Sequence, residues 1–225
     1  MAPQPDPLDR LDEAGRAAMS RVVAMLASPE APTTVRDESE AWRVHVADSL
    51  SGLDLDALAG ARRIADIGAG AGFPGLALAA ALPDAEVVLV ESVGRKCEFM
   101  ADAIGRAGLR NARVECRRAE ELSGEPFEAV TARAVGRLST LAELASPLLV
   151  EQGVLAAWKG RRDDEEEDEL RGAGEQLGME LEEVRWVGPY AGSRNRHLYL
   201  VRKVAPTPEG LPRRPGMAKK RPFGS

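Results

Sequence analysis

Hydrophobic positions follow one rhythm in the first quarter of the chain and another after it. Residues 8–27 carry apolar side chains at helical spacing among charged ones, and prolines end this pattern. The spacing predicts a second helix over residues 38–53. We therefore expect residues 1–58 to form an amino-terminal helical cap.

After residue 59, short apolar runs alternate with segments of helical periodicity. Strands are predicted at residues 62–67, 86–91, 112–117, 128–133 and 154–159. The helices between them are predicted at residues 74–82, 94–107, 138–149 and 164–177. This alternation is typical of βαβ units, which form a parallel sheet with helices on both faces.

The end of the chain breaks the alternation. Two strand-like runs, residues 183–189 and 197–203, follow each other with only a short connection. Such a connection requires antiparallel pairing, because a parallel return needs a crossover of about a dozen residues or more. We expect residues 59–203 to form an α/β domain whose seven-stranded, mostly parallel sheet has a reversed last strand. That topology is characteristic of Rossmann-like class I methyltransferases, whereas dinucleotide-binding domains usually stay parallel.

The composition is that of a soluble globular protein. The 225 residues are 44% hydrophobic and 29% charged, and no apolar run approaches the roughly 18 residues of a membrane span. The Pro-rich, acidic amino terminus does not resemble a signal peptide. Cys97 and Cys116 have neither a metal-ligand spacing nor the count of a disulfide framework, so we interpret both as small core residues in a reducing compartment. We expect a cytoplasmic monomer that binds no metal and no membrane.

Charge is distributed unevenly. Residues 163–169 alone carry a charge of −7, whereas the whole chain carries −6. The rest of the chain therefore sums to +1. We interpret this acidic run as a solvated helix start, where carboxylates complement the helix dipole. Residues 204–225 form a basic tail of local charge +4, which we expect to be disordered in the free protein and to bind RNA phosphates without sequence preference, or else only to aid solubility. The cations of this tail are Arg213, Arg214, Lys219, Lys220 and Arg221.

A glycine-rich segment, I-A-D-I-G-A-G-A-G-F-P-G at residues 64–75, follows the first predicted strand. Glycine lets a backbone turn tightly and approach a ligand closely. The spacing from Gly70 to Gly75 also fits a dinucleotide fingerprint, so the loop alone is ambiguous. Glu91, at the end of the second predicted strand, is placed to accept the ribose hydroxyls of either cofactor class.

Asp66, two residues before Gly68, separates these two classes. A dinucleotide places its pyrophosphate at the helix amino terminus, where a nearby carboxylate would repel it. S-adenosylmethionine has no phosphate and carries an ammonium and a sulfonium, which an acidic strand end attracts. Asp66 therefore favours a methyl-donor site, with a helix or turn cap as the structural alternative.

Further motifs resemble one protein family. They are D-I-G-A-G-A-G-F-P-G-L-A-L, V-E-S-V-G-R-K, R-R-A-E-E-L, A-R-A-V, W-K-G and R-H-L-Y-L-V-R-K, preceded by H-V-A-D-S-L and followed by L-P-R-R-P-G-M-A-K-K-R-P-F. From about residue 42 to the carboxyl terminus, this ordered set resembles the ribosomal RNA small-subunit methyltransferase G family, also called glucose-inhibited division protein B. The resemblance implies transfer of a methyl group from S-adenosylmethionine to N7 of a guanine in the 530 loop of 16S rRNA in the small ribosomal subunit.

The resemblance also implies a cofactor site. Together with the loop pattern, it comprises Asp66, Gly68, Gly70, Phe73, Glu91, Ala119, Glu120 and Arg133. Arg133 is in addition the candidate for positioning the substrate during methyl transfer. Guanine N7 attacks through an in-plane lone pair and loses no proton, so alignment supplies most of the acceleration and no general base is obligatory. The chain also lacks the N-P-P-Y and D-P-P-Y motifs used for exocyclic amines.

Basic residues at strand ends and in the final hairpin are the candidates for RNA contact. Besides Arg133 and the tail, they are His45, Lys159, Arg194, Arg196 and His197. Lys159 fits a solvated strand-end lysine equally well. His45 and Asp48, three apart on one helical face, either orient the cap over the site or only bond each other, and we favour a structural role. The open alternatives are a methyltransferase of another RNA, an NAD(P)-dependent oxidoreductase, and a non-catalytic RNA-binding assembly factor.

Overall fold

Seven strands pair into one sheet in the computed structural model, which describes residues 6–133 and 135–224. They are β1 (Arg63–Ile67), β2 (Glu86–Glu91), β3 (Ala112–Cys116), β4 (Phe127–Arg133), β5 (Leu149–Lys159), β6 (Met179–Trp186) and β7 (His197–Lys203). Their order across the sheet is β3-β2-β1-β4-β5-β7-β6. The neighbours from β3 to β5 pair in parallel, and β7 runs antiparallel to both β5 and β6. The predicted mostly parallel sheet with a reversed last strand is confirmed.

Helices precede the sheet and connect its strands. They are α1 (Glu13–Leu26), α2 (Glu38–Ala41), α3 (Asp48–Leu50), α4 (Asp56–Ala59), α5 (Gly75–Ala81), α6 (Gly94–Ala107), α7 (Leu138–Ala145), α8 (Asp164–Leu177) and α9 (Met217–Lys220). A π-helical stretch, Trp42–Ala47, joins α2 to α3. Among the described residues, no helix has the length and apolar character needed to cross a bilayer.

Two strands begin several residues earlier than the sequence predicts. β5 starts at Leu149 and β6 at Met179, whereas the apolar runs suggested starts at residues 154 and 183. Charged residues obscure these extensions; in β6, Glu180 and Glu182 are exposed. β6 lies at the edge of the sheet, where alternate side chains can face solvent, so a polar run remains compatible with a strand.

Hydrophobic side chains cover both faces of the sheet. The helical cap, α5 and α6 share one cluster with one face, and α7 and α8 pack against the other. Met19 and Val22 of α1 are fully buried in the first cluster. α1 also approaches α5 closely, because a Cβ at Gly15 would lie 2.5 Å from the carbonyl oxygen of Ala80. The cap and the sheet therefore share one hydrophobic core, which holds the cap beside the strand ends.

The basic tail packs against the domain, so the predicted disorder is wrong. Leu211 and Phe223 contact the hydrophobic cluster formed with α7 and α8, and Ala218 is 2% exposed. Arg213 forms an ion pair with Glu143 of α7, whose side chain is 1% exposed. A carboxylate buried to this degree requires a partner, and the partner here is a tail residue.

The acidic run begins α8 as predicted, but the expectation that it is solvated is wrong in part. Asp163 caps the helix by accepting hydrogen bonds from two backbone N–H groups of the first turn. Glu167 is buried and forms ion pairs with Arg162 and Arg171, and it also accepts a hydrogen bond from the hydroxyl of Tyr199 in β7. These contacts connect α8 to the sheet.

The cysteines also differ from the expectation of two separate core residues. Cys97 and Cys116 are joined by a disulfide, with Cα atoms 5.8 Å apart. Cys97 lies in α6 and is buried, whereas Cys116 at the end of β3 is exposed. Both flank Glu91, because Cys116 pairs with Glu91 across the β2–β3 ladder and Sγ of Cys97 lies 3.2 Å from the Glu91 carbonyl oxygen. The spacing of the two cysteines along the chain does not reveal this proximity.

Candidate functional site

The glycine-rich turn after β1 lies at the carboxyl edge of the sheet. Gly68, Gly70 and Gly72 have φ angles of 67°, 62° and 94°, which residues with a Cβ rarely adopt. A Cβ at Gly68 would also lie 2.9 Å from Cγ2 of Val135. Glycine is therefore needed both for the path of the turn and for the close approach of the segment that follows β4.

Asp66 supports this turn from within the protein. It is fully buried; Oδ2 accepts a hydrogen bond from the N–H of Gly75 at 2.8 Å, and Oδ1 accepts one from the hydroxyl of Thr131 at 3.1 Å. Burial raises the pKa of Asp66 to about 7, although both hydrogen bonds oppose the shift. The expected attraction of a fully charged Asp66 for a cationic cofactor therefore has no support, and the contacts match the alternative of a cap.

The same contact bears on the choice between cofactor classes. The N–H of Gly75 belongs to the first residue of α5, where a dinucleotide fold would bind pyrophosphate. Because Asp66 already accepts a hydrogen bond from this N–H, the group is not available to a phosphate oxygen. Asp66 thus still disfavours a dinucleotide, because it occupies the N–H of Gly75 and not because its charge repels a phosphate.

Glu91 ends β2 with its carboxylate held in one orientation. Oε1 accepts hydrogen bonds from the N–H groups of Ser92 and Val93, at 2.8 and 3.0 Å. Oε2 accepts one from the N–H of Gly70 at 3.2 Å and lies 3.5 Å from Nζ of Lys96. The side chain is 7% exposed. Backbone donors thus fix an acidic group at the strand edge, where it can accept hydrogen bonds from hydroxyl groups of a ligand.

A cavity of about 410 Å³, here named the strand-end cavity, lies beside these groups. It is bordered by the ends of β1, β2 and β3, by the segment after β4, by α7 and by the tail. Four of the predicted cofactor residues line it, namely Gly68, Glu91, Ala119 and Glu120. Ligands of open α/β sheets bind at this edge, so the strand-end cavity is the candidate cofactor site.

Arg133 connects the end of β4 to the cap. Its Nη1 donates hydrogen bonds to the carbonyl oxygen of Val44 at 3.0 Å and to Oδ2 of Asp48 at 3.1 Å. Its Nη2 lies 3.1 Å from Nδ1 of His45, and its guanidinium carbon lies 5.7 Å from the ring centroid of Phe73. Burial lowers the pKa of Arg133, and the Asp48 carboxylate opposes this shift.

The side chains of His45 and Asp48 do not bond each other in this arrangement; both bind Arg133. The His45 ring stacks on Phe73, with centroids 4.9 Å apart and an interplanar angle of 14°. Its Nε2 lies 3.0 Å from the hydroxyl of Thr33. The sequence left two roles open for His45 and Asp48, to orient the cap or only to bond each other. The contacts with Arg133 support the first role.

A titration of His45 tests this environment. Burial, and secondly the charge of Arg133, lower the pKa of His45 from 6.5 to about 4. Because the folded pKa is below the ordinary value, protonation favours the unfolded chain, so the stability contributed by neutral His45 is complete above about pH 6.5 and is lost as the pH falls towards 4. Histidine ring NMR, with the signal assigned by its loss in His45→Gln, should show a midpoint near pH 4. A midpoint at or above 6.5 would contradict the buried contact with Arg133.

A second cavity of about 540 Å³, here named the cap cavity, lies between the cap and the sheet. Asp48 and Arg133 line it together with Trp158, Lys159 and Arg196. Nε1 of Trp158 donates to the carbonyl oxygen of Asp48 at 2.8 Å, and Nε of Arg196 lies 3.5 Å from Oδ1 of Asp48. Lys159 is 17% exposed and forms an ion pair with a carboxylate of α8, so it is not a solvated strand-end lysine.

Residues close together in the sequence line the two cavities. Val135 lines the strand-end cavity, whereas Arg133 and Gly136 line the cap cavity. One short stretch of chain thus contributes to the walls of two separate cavities.

The structure distributes the RNA candidates among three places. His45, Lys159 and Arg196 line the cap cavity. In the hairpin, Arg194 is exposed, and Nδ1 of His197 lies 2.8 Å from the carbonyl oxygen of Gly160. In the tail, Arg213 is bound to Glu143, whereas four cations are exposed: Arg214, Lys219, Lys220 and Arg221.

A groove between α1 and α6 lies away from the strand ends. Its volume is about 640 Å³, larger than that of either cavity, and it includes Arg21 and Phe99. No cluster of three or more His, Cys, Asp or Glu side chains within residues 6–133 and 135–224 is arranged to hold a metal ion.

Sequence reasoning missed several groups at the two cavities. Thr140 of α7 and Gly216 and Ala218 of the tail line the strand-end cavity, and Trp158 lines the cap cavity. The W-K-G motif contains Trp158, so its occurrence in the family pattern was an available signal. The contribution of α7 and the tail depends on packing between distant segments and has no local signature.

Comparisons with known proteins find relatives over most of the chain. A family model described as rRNA small subunit methyltransferase G matches residues 22–198. A protein of Pelotomaculum thermopropionicum named ribosomal RNA small subunit methyltransferase G is 39% identical over 197 residues, covering 85% of this chain and 82% of that protein. A protein of the same name from Thermotoga neapolitana is 38% identical, covering 88% of this chain and 87% of its own.

Solved structures resemble the chain in fold. The S-adenosylmethionine-dependent methyltransferase SibL aligns with a TM-score of 0.54 at 16% identity, over 86% of this chain and 70% of its own. The ribosomal protein L11 methylase of Lactobacillus delbrueckii subsp. bulgaricus aligns with a TM-score of 0.51 at 13% identity, over 70% of this chain and 77% of its own. The predicted Rossmann-like class I methyltransferase fold is thereby confirmed.

Proposed function

Because the chain belongs to the rRNA small subunit methyltransferase G family, we propose that it transfers a methyl group from S-adenosylmethionine to N7 of a guanine in the 530 loop of 16S rRNA. Family membership establishes a methyltransferase. The cofactor, the target atom and the target loop are the parts of the proposal that need support from the site.

The strand-end cavity suits the adenosine part of S-adenosylmethionine. Glu91 offers a fixed carboxylate to the ribose hydroxyls, and the Ala119–Glu120 turn offers backbone and side-chain groups to the adenine edge. Leu144 and Ala218 add apolar surface for the ring. S-adenosylmethionine supplies the methyl group when bound.

The observation that carries the proposal is that residues close together at the end of β4 line both cavities. A cofactor in the strand-end cavity would lie beside Val135, and a base in the cap cavity would lie beside Arg133 and Gly136. Transfer to a nucleobase requires an acceptor and a donor held in line at short range. The paired cavities provide separate places for the two reactants.

The groups of the cap cavity suit guanine. Asp48 is 5% exposed, and its Oδ1 accepts no hydrogen bond from the described residues. The N1–H and N2–H groups of guanine are donors that a carboxylate oxygen can accept, and Arg196 beside it can donate to O6. Recognition through this edge would leave N7, on the opposite edge of the base, free to react.

The proton requirements agree with this target. A histidine with a pKa of about 4 is neutral at physiological pH and is held by Arg133 and Thr33, so His45 serves to orient the site. Methylation at N7 removes no proton in the attacking step, so a site without a dedicated base is sufficient. Arg133, held by the cap, restricts the position of the acceptor.

A labelling experiment tests the proposal. The purified full chain is incubated with radiolabelled S-adenosylmethionine and either assembled small subunits or free 16S rRNA from cells that lack this modification. Borohydride and aniline treatment, which cleaves RNA at N7-methylguanosine, followed by primer extension should give one stop in the 530 loop. Glu91→Gln serves as the cofactor-deficient control.

The outcomes distinguish the alternatives. Label in RNA without chain cleavage would exclude N7 as the target atom. In a parallel incubation with transfer RNA, label there but none in rRNA would favour the alternative of another RNA substrate. No label with either rRNA form, together with fluorescence quenching by a nicotinamide cofactor only, would overturn the proposal in favour of an oxidoreductase.

A further inference from the structure

The carboxyl-terminal tail borders the strand-end cavity. We name residues 213–223 the strap. Gly216, Ala218 and Lys219 of the strap line the cavity together with the ends of β1 to β3. Ala218 is 2% exposed, so this part of the strap is packed into the protein rather than laid on its surface.

Two hydrogen bonds connect the strap to the walls of this cavity. The N–H of Gly216 donates to Oε1 of Glu120 at 2.8 Å. The hydroxyl of Thr140 in α7 donates to the carbonyl oxygen of Ala218 at 3.1 Å. Glu120 and Thr140 both line the strand-end cavity, so the strap contacts the same residues that a bound ligand would contact.

An ion pair outside the cavity holds the strap in place. Nε of Arg213 donates to Oε1 of Glu143 at 2.8 Å, and its Nη2 donates to the carbonyl oxygen of Arg221 at 2.8 Å. The guanidinium carbon lies 4.0 Å from the ring centroid of Phe223. The hydrogen bond with Glu143 raises the pKa of Arg213. Arg213 thus links α7 to both ends of the strap.

We propose that the strap is a wall of the cofactor site, which contacts the adenine side of S-adenosylmethionine and positions the Ala119–Glu120 turn through the bond from Gly216 to Glu120. The inference rests on the proposed function, because it takes S-adenosylmethionine as the ligand. It assigns the basic tail two roles. Arg213 anchors the strap, whereas the exposed cation Arg214 is left for RNA phosphates.

Calorimetry with S-adenosylmethionine tests the anchor. Arg213→Ala should weaken binding by about tenfold or more, the loss expected when a structured wall of a ligand site is released. Because Arg213→Ala leaves the buried carboxylate of Glu143 without its cation, a second variant combines it with Glu143→Leu, which removes that carboxylate. Both variants should weaken binding, at a temperature where circular dichroism shows them folded.

Arg214→Ala is the matched control for the anchor. It removes the same side chain at the next position, where the residue is exposed. It should leave the affinity for S-adenosylmethionine unchanged and lower the affinity for rRNA. Unchanged cofactor affinity in both the single and the double Arg213 variant would overturn the inference.

Limited proteolysis tests the wall in the unmodified protein. Trypsin can cleave after Lys219 and Lys220, which are exposed in the strap. S-adenosylmethionine and S-adenosylhomocysteine should slow release of the carboxyl-terminal peptide by about tenfold, whereas methionine, which lacks adenosine, should not. Equal cleavage rates with and without S-adenosylhomocysteine, at concentrations that saturate binding, would contradict a wall role.

The two proposals fail in different ways. If the unaltered chain does not bind S-adenosylmethionine, the proposed function fails. If it binds but strap variants bind equally well and proteolysis is unaffected, only the inference about the strap fails.

Discussion

Replacing Glu91 with glutamine should raise the Kd for S-adenosylmethionine by about 100-fold, since each hydrogen bond to a charged group contributes about 1.5–3 kcal/mol and 1.4 kcal/mol is a factor of ten. The carboxylate accepts three backbone N–H groups and lies at the wall of the strand-end cavity. An amide of the same shape turns one acceptor oxygen into a donor. If that donor faces a backbone N–H, the contact is lost. If it faces a ligand hydroxyl, the hydroxyl must accept instead, and the bond loses the strength that the carboxylate charge gave it. Isothermal titration calorimetry measures the change directly.

Glu98→Gln is the matched control for this prediction. Glu98 lies in α6 and is exposed, so the same chemical change there should leave the Kd within about twofold of the unaltered protein. Thermal unfolding of both variants without ligand separates loss of binding from loss of structure. An unchanged Kd for Glu91→Gln would exclude the assigned ribose contact, whatever the effect on stability.

Replacing Arg133 with methionine should abolish measurable methyl transfer and lower the free energy of unfolding by about 3 kcal/mol. The guanidinium binds the cap through Val44, His45 and Asp48. The Asp48 side chain is 7% exposed. Once Arg133 is removed, its remaining ion-pair partner among the described residues is Arg196, at 3.5 Å. Removing one member of a buried ion pair is costly because the other charge stays desolvated. Urea unfolding gives the stability change.

A double variant separates the structural from the positioning role of Arg133. Asp48→Asn in the Arg133→Met background removes the uncompensated charge, so stability should return in part while methyl transfer stays absent. Arg137→Met is the control; Arg137 is 40% exposed and pairs with Glu169 near the surface, so its loss should cost less than about 1 kcal/mol. Recovery of methyl transfer in the double variant would mean that Arg133 acts only through stability.

The elements were readable from the sequence because periodicity is a local property. The strand Glu86–Glu91 and the hairpin strand His197–Lys203 have the predicted bounds, since each contains an uninterrupted apolar run, residues 87–90 and 198–201. The glycine turn was equally readable, because positive φ angles at three positions require glycine. The extension of β6 was missed because an edge strand tolerates charged residues that obscure the pattern.

The roles of charged residues were less accessible. Asp66 was interpreted as a charged group facing a cofactor, yet it is buried with a pKa of about 7. A sequence identifies a carboxyl group but not its desolvation, which depends on everything packed around it. The same reason explains Lys159 and Arg213, which were candidates for RNA contact and are bound to carboxylates of α8 and α7.

The sequence by itself determined the alternation of strands and helices, the reversed last strand, the glycine turn and the resemblance to one methyltransferase family. Only the tertiary structure decided which groups meet: Arg133 with Asp48 across 85 positions, and Gly216 with Glu120 across 96. Backbone preferences and hydrophobic periodicity act over a few residues, whereas these contacts form only when the sheet, the cap and the strap pack together. The two cavities, and the strap beside one of them, are products of that packing.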